Sequence, residues 1–154
     1  MGMKRILAAT VVLAFGACAT APAAPKTPSD LILGKWNCKA TAEGVTTDAV
    51  VTYLEGGKST LDAKVGVNQG GMAIDIRATA EGNYKFLEDG KVQETITKMT
   101  VTSGKMGGND VPAAMIQPMV EQMVVNQTVT STATITETSF VSKDEDGTVT
   151  TCTR

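Results

Sequence analysis

The chain has 154 residues, with 14 Lys+Arg against 16 Asp+Glu and no histidine. General acid–base chemistry most often uses His, so a Ser-His or Cys-His nucleophile is excluded and an enzyme is not expected. A net charge of −2 without a basic stripe excludes nucleic acid as a partner.

Residues 1–17 read as a signal peptide: Lys4-Arg5 is a basic start, an apolar run covers 6–15, and small residues Gly16-Ala17 precede Cys18. That run is too short to span a bilayer, which needs about 20 apolar residues. With Cys18 directly after two small residues, the segment resembles a bacterial lipoprotein signal. The resemblance implies a lipid on Cys18, cleavage just before it, and anchoring in the cell envelope. Ala19 stands where an Asp is linked to inner-membrane retention, so the outer membrane is the expected location. Two acyl chains already anchor a protein stably. The alternative is ordinary cleavage after Ala17-Cys18-Ala19, releasing a soluble protein. Losing Lys4 and Arg5 leaves 12 basic against 16 acidic residues, a net charge of −4.

If Cys18 carries lipid, Cys38 and Cys152 remain of the three cysteines. An exported chain meets an oxidising compartment, so the pair reads as a structural disulfide. Zinc is disfavoured because four ligands are needed and His is absent. Residues 18–30, rich in Ala, Pro and Thr, cannot bury a core and read as a linker. Residues 31–154 then form one domain.

Within that domain, candidate strands at 35–42, 45–54, 59–67, 72–80, 84–87, 91–103, 128–137, 139–142 and 148–153 are separated by turn signals. Asp89-Gly90 and Asp146-Gly147 are the strongest of these, and Glu81-Gly82-Asn83 reads as another. Period-two alternation places Leu61, Ala63, Val65 and Val67 on one face, and Ile74, Ile76 and Ala78 likewise. Near-universal hairpin connections predict an all-β, antiparallel up-and-down meander of about eight or nine strands, closing into a barrel that removes its edges. A Cys38–Cys152 bridge requires the first and last strands to be neighbours.

One helical insertion is expected near 111–125, capped by Asn109 or Asp110 and kinked or split by Pro118. Val111, Met115, Met119 and Met123, with Ile116, Val120 and Val124 alongside, make an apolar stripe. Such a helix either plugs one barrel end or serves as a lid on an apolar ligand. Asp144-Glu145-Asp146-Gly147 lacks the spacing of a calcium loop and reads as a turn. No metal or cofactor is expected.

Leu31-Ile32-Leu33-Gly34-Lys35-Trp36 resembles the Gly-x-Trp opening of lipocalins and lipocalin-like bacterial domains. The resemblance implies a barrel whose base is closed by Trp36, with an arginine near the last strand packed across it; Arg154 is placed to match. It also implies binding of hydrophobic ligands. The small candidate inward residues Ala40, Ala42, Ala63, Ala78, Ala80 and Ala133 leave room for one, because an eight-stranded barrel is just wide enough to be filled or to hold a small molecule. Trp36, Met115, Ile116, Met119 and Met123 are the candidate ligand-gripping residues. A membrane anchored through lipid, a small hydrophobic ligand and an envelope protein partner are the expected associations. A protein-interaction or inhibitor module using loops such as 104–110 is the alternative function.

Overall fold

Strands that each bury one face can hide those faces from water by curling into a closed sheet. The computed structural model describes residues 24–154 and shows such a closure. The signal peptide expected at 1–17 and the lipidation expected at Cys18 fall outside the described residues. The elements are α1 (Pro28–Ile32), β1 (Gly34–Ala42), β2 (Val45–Leu54), β3 (Lys58–Gln69), β4 (Met72–Phe86), β5 (Lys91–Met106), β6 (Asn109–Val111), α2 (Ala113–Val124), β7 (Thr128–Ile135), β8 (Ser139–Asp144) and β9 (Val149–Thr153). Neighbouring strands pair antiparallel in chain order, and β9 returns to β1, giving an 8-strand barrel with β6 as an extra strand on β5.

Cys38 and Cys152 face each other across the β1–β9 seam and form a disulfide. The covalent bond therefore lies where the first strand meets the last. At the β4–β5 hairpin, Asp89 and Gly90 adopt φ of 62° and 70°, the paired positive values a tight hairpin turn demands.

The expected turn at Glu81-Gly82-Asn83 is not formed; β4 runs unbroken through it for 15 residues. Inward alternation continues from Ile74 through Ala80 and Gly82 to Phe86, so a reversal there would have interrupted a continuous buried face. Gly82 serves close strand approach instead: a Cβ there would lie 2.8 Å from the Thr95 carbonyl oxygen. Two bulges in β5, at Thr97 and Thr102, restore the inward phase and bend the long hairpin around the barrel. Each bulged threonine donates its hydroxyl to a β4 carbonyl, Thr97 to Glu81 and Thr102 to Arg77, both at 3.1 Å.

Further along, Asn109 and Asp110 do not cap the helix. They belong to β6, which folds back on the end of β5 around Gly107-Gly108. The helix begins after Pro112, which takes the N-cap position without a side-chain hydrogen bond. Pro118 neither splits nor ends it: Ala113–Val124 is one helix. Pro118 and Ala114 are both exposed, so water can satisfy the carbonyl that proline leaves without a donor. At the other end, α1 begins inside the stretch read as linker. Thr27 and Asp30 form a reciprocal capping box around its first turn.

The helix α2 repairs a gap in the barrel wall. β5 pairs with β7 only over Lys91–Thr95, and with β6 only from Gly104 onward. Between them, Gln117 imitates a strand: its Oε1 accepts from Val101 N at 2.6 Å and its Nε2 donates to Met99 O at 2.7 Å. Asn126 N donates to Ile96 O at 2.8 Å, closing the remaining edge. Ile116 drives into the site of Gly104, where any Cβ would collide with its Cδ1. Gly104→Ala is therefore expected to cost about 1–3 kcal/mol through overpacking. Adding Ile116→Val, which removes that methyl, should recover most of the loss in urea-denaturation midpoint.

Candidate functional site

The described residues contain five aromatic side chains, and all five form one edge-to-face chain at the barrel base. Trp36 meets Phe140 at 6.0 Å, Phe140 meets Tyr53 at 6.0 Å, Tyr53 meets Tyr84 at 5.0 Å, and Tyr84 meets Phe86 at 6.3 Å. Such pairs add about 0.5–1.5 kcal/mol each beyond their area burial. α1 closes the base from below: Ile32 is fully buried, and its carbonyl accepts from Trp36 Nε1 at 2.7 Å. The Arg154 guanidinium lies 4.1 Å from the Trp36 ring centre and donates to the carbonyls of Leu31, Leu33 and Glu137. That places Arg154 where the Gly-x-Trp resemblance expects an arginine.

With the bulky rings spent on the floor, the middle of the barrel is lined by small and medium side chains. A second buried cluster joins Ile116 and Val120 of α2 to Ile76, Ala78 and Ala80 of β4 and Met99 and Val101 of β5. Between floor and cluster lies a cavity of about 490 Å³. Tyr53, Phe140 and the disulfide line it below, Ala49, Val51, Leu61 and Ile96 surround it, and Ala40, Thr47, Met123 and Val129 lie toward its mouth. This volume is within the range of small-molecule sites.

One carboxyl group points into this apolar space. Glu94 follows the inward parity of Val92 and Ile96 on β5, and its Oε1 accepts from the Tyr53 hydroxyl at 2.7 Å. Burial pushes the Glu94 carboxyl above the usual carboxylate range, with the Tyr53 hydrogen bond opposing the shift. Burial likewise raises the Tyr53 hydroxyl, reinforced by the Glu94 charge. Tyr53 is thus a neutral donor held on a reluctant anion. The other charged residues lining the cavity are engaged at the outer surface: Glu81 pairs with Lys98, and Lys39 pairs with Asp48. Asp144 uses its Oδ1 to accept from Thr148 N at 2.8 Å, which is turn chemistry.

The sequence-derived ligand set is only partly brought together. Met123 lines the cavity, whereas Trp36 lies within the base and Ile116 within the second cluster. Met115, Met119 and Met123 are 73%, 44% and 59% exposed, while Ile116 and Val120 are 3% and 6% exposed. The methionine stripe consequently faces outward, and it is the adjacent Ile116–Val120 stripe that docks. The physical cause is Gln117, whose two hydrogen bonds to β5 fix the rotation of the helix. Tyr53 and Glu94 were not singled out by sequence reasoning. Their signal was a lone acid on the apolar parity of a strand.

A scan of protein-family models and a search of curated proteins both return no match to this chain.

Proposed function

We propose that this protein is a cell-envelope lipoprotein, anchored through Cys18, that carries one small apolar molecule in its barrel without catalysing a reaction. The observation that supports the carrier reading is the cavity of about 490 Å³ above the aromatic floor. The signal-like segment supports the anchor, and Arg154 over Trp36 supports the lipocalin-like reading. The ligand contacts are reassigned to Ala49, Val51, Leu61, Ile96 and Phe140, with Met123 at the mouth.

An apolar fluorescent probe should bind the purified protein with one site per chain. Ala40→Trp, at a half-buried position near the mouth, is expected to reduce that binding by about tenfold or more, the effect of losing roughly 1.4 kcal/mol. Met115→Asp, on the exposed stripe, should leave it unchanged. Probe binding indifferent to Ala40→Trp would overturn the carrier reading. The exposed methionines favour a second reading, a protein-interaction module of the envelope using the outer face of α2. In that case Met115→Asp would abolish capture of a protein partner while probe binding stayed weak or absent.

A further inference from the structure

Glu94 is unusual because nothing in the fold requires an acid there. Its partner Tyr53 could be satisfied by a neutral amide, and burial of the carboxylate opposes folding. Oε1 is occupied by Tyr53, Oε2 has no hydrogen-bond partner among the described residues, and Glu94 lines the cavity. No cation among the described residues answers it: Lys39 at the cavity border is directed to Asp48 on the outer face. An anionic ligand head would therefore meet repulsion inside the barrel and no compensating charge.

We propose that the occupant is an amphiphile with a cationic hydrogen-bond-donating head, in the simplest case a primary ammonium, that binds Glu94 Oε2 while its apolar body fills the space bounded by Val51, Leu61, Ile96 and Phe140. This rests on the carrier reading and gives its ligand a chemical class. Tyr53 is a positioning residue: its donated hydrogen bond fixes the carboxylate and leaves the second oxygen toward the cavity. A charge-assisted hydrogen bond is worth enough to separate matched from mismatched heads by roughly 10- to 100-fold.

Three probes of one tail length distinguish the outcomes: dodecylamine, dodecanol and dodecanoate, each titrated calorimetrically into the full chain below its micelle concentration. The expected order is amine tighter than alcohol, and alcohol tighter than carboxylate, with at least about tenfold between the extremes. Glu94→Gln should abolish the amine preference yet still bind dodecanol. The amide retains an acceptor for Tyr53, so this variant is expected to fold. In the wild type, amine affinity should fall as pH drops and Glu94 takes up a proton; in Glu94→Gln it should not. The titratable groups nearest Glu94 are Tyr53 from β2 and Tyr84, its register partner on β4, while Glu81 and Lys39 at the cavity border are paired with Lys98 and Asp48. Neither phenol ionises in the acid range, since burial raises both. Equal binding of amine and carboxylate, or a preference that survives Glu94→Gln, would overturn the head-group assignment while leaving the carrier reading intact. Failure of all three probes to bind would overturn both.

Discussion

Replacing Cys38 and Cys152 together by serine is expected to destabilise the domain by about 2–5 kcal/mol, or roughly 10–20 °C in Tm. The bridge spans 114 residues of sequence and closes nearly the whole domain into one loop, so its loss frees a large unfolded ensemble. It also removes the covalent tie across the β1–β9 seam, the contact that has to form between chain ends. Both cysteines are buried, at 6% and 1% exposure. Reductant should consequently act through unfolding: added to the native protein it should react slowly, and added in mid-range urea it should shift the denaturation midpoint to that of the serine variant. A midpoint unmoved by the double substitution would show that strand pairing alone holds the seam.

Trp36→Ala is expected to cost about 3–5 kcal/mol, the range for emptying a fully buried aromatic site. Trp36 is 0% exposed and joins three things at once: the α1 cap, the aromatic chain through Phe140, and the Arg154 guanidinium. Trp36→Phe separates these contributions. It keeps most of the apolar contact but leaves the Ile32 carbonyl without its donor, at about 1–3 kcal/mol. Arg154→Gln should cost less, about 0.5–2 kcal/mol, because that guanidinium is exposed and a cation–π contact is modest. Urea midpoints of the three variants check the order. An alanine variant as stable as the phenylalanine one would mean that the base is not anchored through this ring. Because the floor of the cavity is continuous with this base, Trp36→Ala should also loosen probe binding.

The barrel is legible in the sequence through features whose physics is local. Period-two alternation can place a strand on a buried face without knowledge of its neighbours, and Asp89-Gly90 specifies a turn because both residues enter positive φ. The same local reading failed at Glu81-Gly82-Asn83. Those three residues suit a turn, but Ile74, Ile76, Ala78 and Ala80 continue in phase into Tyr84 and Phe86, and burial of that whole face outweighs the turn preference. At Asn109-Asp110 the capping chemistry was equally plausible, yet the unfilled edge at the end of β5 recruited them as β6.

The candidate site was legible in kind and not in detail. Small inward alanines and few aromatics announced space inside the barrel, and the structure places all five described aromatics at one end. Which helix face turned inward was not legible, because the methionine stripe and the Ile116–Val120 stripe are adjacent and similarly apolar. Gln117 decides between them through two hydrogen bonds to backbone atoms of β5, partners known only once the gap between β5 and β7 exists.

By itself, then, the sequence determined the strand content, the strong turns, the cysteine pair that has to meet and the shortage of bulky side chains. These depend on residue type and spacing along one chain. Tertiary structure alone decided the bulges, the rotation of α2 and the meeting of Tyr53 with Glu94 across 41 residues. Each of these depends on which backbone groups and buried surfaces of distant segments are left unsatisfied when the sheet closes.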